Sequence, residues 1–157
     1  MRTQQQWFDE YAVSHQHETN QLIHYICVPA IFFSIVGLFM SINPSFLQKM
    51  LGIGNPLIEN WAFVLLVFLF SFYLKLSFKT FIKMFLFSII CLVGNHFIGQ
   101  NTSLLYTSIA IFAIAWIGQF YGHHLEGKKP SFLKDLQFLL IGPAWVFEKL
   151  FRKKSTH

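Results

Sequence analysis

Long apolar runs separated by short polar segments dominate the chain. Four of these runs approach the roughly 17 to 25 residues that a helix needs to cross a bilayer, and they cover residues 26–42, 61–76, 81–98 and 104–120. Pro44 follows the first run and Pro56 precedes the second, at positions where proline interrupts a helix. The pattern predicts an all-α fold, an integral membrane four-helix bundle that forms a single domain over residues 1–157.

Two further segments have helical periodicity but are too polar to be read as spans. The residues before the first run predict an N-terminal amphipathic helix. The segment 132–151 carries apolar residues at helical spacing, interrupted by charges and by Gly142 and Pro143. We expect this segment to form an interfacial or re-entrant helix rather than a fifth span.

Composition supports a membrane location. Charged residues make up 12% of the chain, about half the usual share in soluble domains, whereas 54% of the residues are hydrophobic and 20 are Phe. A soluble monomer of this size has too little interior to hide so much apolar surface, which argues against soluble enzymes and against intrinsic disorder. We expect an integral membrane protein of the bacterial inner membrane or the endoplasmic reticulum, without a cleavable signal peptide.

The distribution of basic residues predicts an orientation. They flank the apolar runs instead of forming a stripe with interleaved aromatics, so membrane orientation explains the positive charge better than a nucleic-acid partner. Four crossings place both termini and the central loop on one side, and that side then carries every Lys and Arg except Lys49. Because Lys and Arg collect on cytoplasmic loops, we expect both termini to be cytosolic.

A first group of polar residues precedes the first span. Asn20 and His24 are four residues apart and share a helical face. The nine residues from His15 to His24 correspond to about 900° of helix, so one straight helix cannot aim both side chains at one centre. A helix break within residues 14–19, with Thr19 as the N-cap of the next helix, brings them together. If the helix is instead unbroken, His17 shares a face with His24 and replaces His15.

A second group ends the fourth span, at the same predicted membrane face. Gln119 and His123 are four residues apart, and Glu126 follows three residues later. His124 points about 100° away from His123, so at most one of the two easily faces a shared centre. By itself, this group is typical of a solvated helix end. That interpretation weakens because a second cluster of histidine and amide residues lies at the same face of so apolar a protein.

The histidines suit a metal ion better than other cofactors. Imidazole binds Zn, Fe, Cu and Ni, and three histidines, or two histidines with a carboxylate, leave positions on an iron for both substrate and O2. Structural zinc sites usually use cysteine, which both groups lack, and haem would have His24 as its one plausible axial ligand. The chain has too few histidines for a di-iron hydroxylase. His96 lies near the opposite face, where a packed histidine is the simpler interpretation.

Taken together, these motifs resemble a known family. The first is Tyr11-x3-His15-x4-Asn20-x3-His24-x4-Pro29, and the second is Trp116-x2-Gln119-x2-Gly122-His123-x2-Glu126-Gly127-x2-Pro130. This combination is similar to that of the membrane 2-hydroxy fatty acid dioxygenases, small proteins of the endoplasmic reticulum and of bacteria. The similarity covers nearly the whole chain.

The resemblance implies a specific chemistry. Family members carry out an Fe(II)-dependent α-oxidation in which a 2-hydroxy fatty acid reacts with O2 and loses its carboxyl carbon. By position, the family's histidines correspond to His15, His24 and His123. Asn20, Gln119 and Glu126 are then candidates for orienting the imidazoles or the substrate, with Glu126 as a possible fourth ligand. The expected partners are a long-chain 2-hydroxy fatty acid, O2 and the lipid bilayer.

Two other classes of function remain open at this level. A non-catalytic membrane scaffold or lipid-binding protein would tolerate the loss of every histidine. A small-molecule transporter would need polar or ionisable groups near the middle of the bilayer, and the four runs offer almost none beyond Ser34, Ser71 and Ser88.

Overall fold

The computed structural model describes residues 2–127 and 132–152, and that part of the chain is entirely α-helical outside its turns and loops. The all-α prediction is therefore confirmed for the described residues. Lys128 and Lys129, which belong to the basic cytosolic flank predicted above, lie outside them. The helices are α1 (Gln4–Val13), α2 (Glu18–Met40), α3 (Ser45–Leu51), α4 (Trp61–Leu76), α5 (Phe78–Asn101), α6 (Leu104–Leu125) and α7 (Phe132–Arg152).

Three of these helices, α2, α5 and α6, are long and apolar enough to cross a membrane. Helix α4 matches the predicted run over residues 61–76 but has only 16 residues. At 1.5 Å per residue this length is about 24 Å, less than the roughly 30 Å of a bilayer's hydrocarbon core. The structure thus supports a membrane protein with three candidate spans, and a fourth crossing by α4 stays a prediction.

The predicted break before the first span is present, but its position differs from the prediction. Helix α1 ends at Val13 and α2 begins at Glu18, so the alternative of one unbroken helix is wrong. The N-cap of α2 is His17 and not Thr19, and no side chain caps the helix there. Helix α2 begins before the apolar run because its first turns carry residues that become buried in the protein, Asn20 and His24.

Helices α2 and α6 pack closely because glycines on α6 face α2. A Cβ atom added at Gly118 would lie 2.6 Å from the Cys27 sulfur, so a larger residue at this position would force the neighbouring atoms to shift. At Gly122, an added Cβ would overlap the side-chain oxygen of Asn20. Close approach of two backbones at small residues is typical of helix pairs in membranes. This packing brings the polar ends of α2 and α6 together.

Contacts outside α2 and α6 define one end of the bundle. The side chain of Gln4 on α1 donates a hydrogen bond to the Thr80 hydroxyl at the start of α5, at 2.9 Å. On α4, the Tyr73 hydroxyl donates to the Leu140 carbonyl of α7, at 2.8 Å. Helix α1, the turn between α4 and α5, and helix α7 therefore lie at the same end.

The opposite end is formed by the remaining turns. The Trp61 indole at the start of α4 donates to the Asn43 carbonyl, at 3.1 Å. Met40, Gly99 and Leu104 line one cavity there, which places the end of α2 beside the turn between α5 and α6. Helix α3, which the sequence pattern did not predict, follows the turn at this end. Helix α4 thus runs from one end of the bundle to the other.

Candidate metal centre

Three histidines from three different segments come together where α2 begins and α6 ends. His15 lies in the loop between α1 and α2, His24 on the second turn of α2, and His123 on the last turn of α6. Each residue offers a ring nitrogen, and these three atoms lie within 4.8 Å of one another. The residues are 3%, 1% and 5% exposed, respectively. We refer to His15, His24 and His123 as the histidine triad.

Backbone carbonyls fix two of the three rings. The Nδ1 atom of His15 lies 2.6 Å from the Tyr11 carbonyl oxygen, and that of His24 lies 2.9 Å from the Asn20 carbonyl oxygen. Because a carbonyl only accepts, these contacts assign the ring proton to Nδ1. The Nε2 atom of each ring is then the one suited to bind a metal. Such hydrogen bonds to a ligand's other nitrogen hold the tautomer and the ring orientation in metal sites.

Aromatic side chains cover one side of the triad. The Tyr11 ring stacks on the His15 ring at a centroid distance of 4.0 Å and an angle of 8°. The Trp145 ring of α7 lies 4.9 Å from the Tyr11 ring and 5.8 Å from the His15 ring. These contacts pack the His15 ring against helices α1 and α7. Trp145 was not predicted as a site residue, although its position just after Gly142 and Pro143, in an interrupted helix, was a usable signal.

Asn20 and Glu126 connect the triad's three segments. Asn20 is fully buried, and its Nδ2 donates to the Glu126 carboxylate at 3.2 Å and to the Ser14 carbonyl at 3.4 Å. The same carboxylate oxygen accepts the His17 backbone N–H at 2.6 Å. Burial by itself raises the pKa of Glu126, but the hydrogen bonds from His17 and Asn20 outweigh it and lower that pKa below its ordinary value. Glu126 therefore acts as an ionised anchor for the loop that carries His15.

Two predicted polar residues lie beside the triad without belonging to the group of possible ligands. Gln119 is buried one turn before His123 on α6. Glu126 reaches the loop before α2, and the described group of possible ligands contains the three histidines only. The structure thus brings Asn20, Gln119 and Glu126 to this end of the bundle, around the triad.

The remaining described histidines lie apart from this centre. His17 is the N-cap of α2 and His124 lies on the last turn of α6, and both are exposed. His96 accepts or shares a hydrogen bond with Gln100 at 3.1 Å, near the opposite end of the bundle. Burial therefore separates His15 from His17 and His123 from His124, which spacing alone could not do.

Comparison with known proteins adds the family. Residues 1–154 of the 157-residue chain match the family described as 2-hydroxy-palmitic acid dioxygenase Mpo1-like. The chain belongs to this Mpo1-like family. No curated protein and no solved structure matches the chain significantly. The family's description implies a dioxygenase acting on a hydroxylated fatty acid, and hence a group that can activate O2.

The side chains at the centre fit a divalent metal ion. Three buried imidazoles with carbonyl-bonded Nδ1 atoms or a helix-end position form a nitrogen donor set that suits Fe, Zn, Cu or Ni. Metal–nitrogen bonds are about 2.1 Å long, so the three nitrogens, which lie within 4.8 Å of one another, would move closer together around a single ion. The Asn20 side-chain oxygen is buried with no hydrogen-bond partner among the described residues, and it lies against Gly122 beside the His24 ring. A water or substrate group at the centre would supply a donor to it.

Proposed function

We propose that this Mpo1-like protein is an Fe(II)-dependent dioxygenase that shortens 2-hydroxy fatty acids by one carbon at the cytosolic face of a membrane. One observation carries the proposal: a buried cluster of three histidines, two of them oriented by hydrogen bonds between Nδ1 and backbone carbonyl oxygens, in a chain of this family. His15, His24 and His123 are the proposed metal ligands. Asn20, Gln119 and Glu126 are the proposed catalytic residues.

The chemistry divides between the metal and the protein. An iron held by His15, His24 and His123 would supply the chemistry that activates O2 and would have positions left for the carboxylate and hydroxyl oxygens of the acid. The overall reaction is balanced without another reactant, because a 2-hydroxy acid and O2 give the shorter acid, CO2 and water. The preference for a 2-hydroxylated acid then follows from the two oxygens that the metal positions can accept.

The protein's own residues orient the reacting groups. The Tyr11 and Asn20 carbonyls hold the His15 and His24 rings with Nε2 toward the centre. The Asn20 side-chain oxygen can accept a hydrogen bond from the substrate hydroxyl, and Gln119 is buried one turn before His123 on the same face of α6. Glu126 keeps its charge and holds Asn20 and the loop before α2 in register. The Tyr11 and Trp145 rings pack beside His15 and cover one side of the centre.

The location at a membrane suits a substrate with a long apolar chain. Large hydrophobic side chains remain exposed along the long helices, for example Ile26, Phe68 and Ile114. In a bilayer this surface faces lipid, and the acyl chain of the substrate stays in the same environment while its head reaches the triad. We propose four crossings with the triad end cytosolic, in the bacterial inner membrane or the endoplasmic reticulum.

Product analysis tests the function directly. Iron-loaded protein purified without O2 and then exposed to O2 should convert 2-hydroxypalmitate to pentadecanoate, and palmitate should stay unchanged as the matched control. Labelled O2 should appear in the shortened acid. If an iron-loaded sample consumes no O2 and releases no carboxyl carbon, the non-catalytic scaffold or lipid-binding function becomes the better interpretation.

A further inference from the structure

A groove between α1 and α7 leads from the surface to His15. One cavity of about 400 Å³ is lined by His15, Asp9, Trp145 and Lys149, among others. An adjoining cavity of about 520 Å³ shares Asp9, Ala12, Trp145 and Lys149 with it and extends to the start of α5. The two cavities together form what we call the α1–α7 groove. It gives a polar approach to the triad at the end of the bundle where α1 lies.

Lys149 is held at this groove in a defined place. Its ammonium lies 5.5 Å from the centroid of the Trp145 ring, within the range of a cation–π interaction. The Trp145 ring itself lies 5.8 Å from the His15 ring, so this aromatic side chain lies near both the lysine and one member of the triad. This contact limits the positions of a side chain that would otherwise be freely solvated.

The carboxylates near Lys149 have other partners. Glu148 pairs with Lys83 at 2.7 Å, and an Asp9 oxygen accepts a hydrogen bond from Gln5 at 2.8 Å. Within residues 2–127 and the described side chains of α7, no carboxylate lies within salt-bridge distance of Lys149. A cation beside an aromatic ring, at a polar groove and without an acid partner in the described part, is suited to an incoming anion.

We propose that Lys149 binds the carboxylate of the fatty acid in the α1–α7 groove and selects the free acid over its neutral esters. This inference rests on the proposed function, because it assumes that the ligand of the triad is a carboxylic acid. Lys149 acts on entry and orientation of the head group, and it forms no covalent bond with the substrate. The ammonium contributes a charge-assisted hydrogen bond that an ester cannot match in strength.

A binding experiment with two ligands tests the assignment. Iron-loaded full-length protein in detergent, kept free of O2, is titrated with 2-hydroxypalmitate and with its methyl ester. Lys149→Gln should weaken binding of the acid about fivefold, as expected for one partly exposed ion pair, and leave binding of the ester unchanged. Lys149→Arg should retain most of the affinity for the acid. Lys75→Gln, which removes an exposed lysine outside the groove, is the matched control.

The ratio of acid to ester affinity separates the possible outcomes. If Lys149→Gln weakens both ligands equally, the lysine acts through packing on Trp145, and the assignment is wrong. An affinity for the acid that is the same in Lys149→Gln as in the wild type also contradicts the assignment. Failure of the proposed function looks different, because the wild-type protein would then not shorten the acid under O2, whatever the affinity ratio. Iron content measured on every variant shows that the triad is intact.

Discussion

At the level of single residues, the geometry of the triad depends on individual hydrogen bonds and on glycines that leave room for close packing. The His15 and His24 rings are each held by a carbonyl four residues earlier in the chain, so local backbone conformation orients them. His123 is instead placed by the packing of α6 against α2. A change at any of these positions acts on ring orientation within a few ångströms of the proposed metal, where 1 Å errors have large effects on activity.

Replacing a triad histidine should remove the metal. His15→Ala, His24→Ala or His123→Ala leaves two imidazoles in a buried pocket, and two neutral ligands bind a divalent ion far less tightly than three. We expect stoichiometric iron in the wild type and well below stoichiometric iron in each variant, measured by elemental analysis after O2-free purification. His17→Ala and His96→Ala should retain the metal. Iron lost with His17→Ala but kept with His15→Ala would contradict the ligand assignment.

Gly122→Ala tests the close packing beside the triad. The added Cβ would overlap the Asn20 side-chain oxygen and lie 3.5 Å from a carbon of the His24 ring. Asn20 must then shift, which disturbs its hydrogen bond to Glu126 and the carbonyl that orients His24. We expect at least a tenfold loss of metal affinity, the size seen when groups that support metal ligands are changed. Gly99→Ala is the control, because its Cβ makes ordinary contact with Leu104 at 3.6 Å.

At the level of helices, the position of His15 depends on the junction where α1 ends, α2 begins and α6 ends. The chain turns between Val13 and Glu18, and the Glu126 carboxylate at the end of α6 holds that turn through the His17 N–H. The His15 side chain projects from this turn into the bundle. Glu126, which lies outside the group of possible ligands, thus links the end of α6 to the loop before α2 and to Asn20.

Glu126→Gln tests whether the site needs the negative charge of Glu126 or only the hydrogen bonds that this side chain accepts. The glutamine oxygen can still accept from the His17 N–H and from Asn20, so we expect metal content near that of the wild type. The neutral acceptor holds the loop less strongly, and the rate of 2-hydroxypalmitate conversion should fall by about tenfold to a hundredfold. Glu126→Ala should lower both quantities. Equal loss of metal and rate in Glu126→Gln would instead indicate that Glu126 binds the metal.

Docking of α7 on the bundle can be tested at Tyr73. Its hydroxyl donates to the Leu140 carbonyl near the proline of α7, and the side chain is completely buried. Tyr73→Phe should lower the free energy of unfolding by about 1 to 3 kcal/mol, because the carbonyl loses its side-chain donor in an apolar setting. Tyr106→Phe, at an exposed tyrosine, should change it little. Unfolding in mixed micelles measures both; equal effects would contradict a specific role for the Tyr73 contact.

Sequence predicted the apolar helices better than the polar junction. The boundaries of α4 and the start of α6 agree with the apolar runs, since lipid-facing segments are apolar throughout. The sequence pattern places the start of α2 too late, with Thr19 as the N-cap, because the first turns of α2 are polar and yet include the buried residues Asn20 and His24. Helix α3 has only seven residues and left no recognisable pattern. The four-residue spacing of Asn20 and His24 was enough to identify His24 from the sequence. The choice between His15 and His17 required knowledge of the helix break and of which side chain is buried.

At the scale of the whole molecule, the two ends of the bundle differ in chemistry. The triad, the α1–α7 groove and most of the described basic residues lie at one end, whereas Lys49 lies at the other. The described surfaces of α2, α5 and α6 between the two ends carry many exposed large hydrophobic residues. This arrangement predicts a bundle oriented by its basic end, with the triad close to one membrane face instead of at the bilayer centre.

The last prediction concerns the number of crossings and the side on which the triad lies. Helix α4 is short for a bilayer, but its ends contact Asn43 at one end of the bundle and Leu140 at the other, so we predict that it crosses the bilayer together with α2 and α5. Local thinning of the bilayer and the long side chain of Lys75 can accommodate the difference in length. Four crossings then place Gln48 and Thr102 on the side opposite to Lys79.

Single cysteines at these three positions, with Cys27 and Cys91 replaced by Ala, should react with an impermeant maleimide in two patterns. Positions 48 and 102 should react in sealed cells whose outer layers admit the reagent, and position 79 only in inverted vesicles, because the positive-inside rule places the basic end in the cytosol. Reaction of positions 48 and 79 from the same side would mean that α4 does not cross. The reverse pattern at all three positions would preserve four crossings but move the triad to the non-cytosolic face.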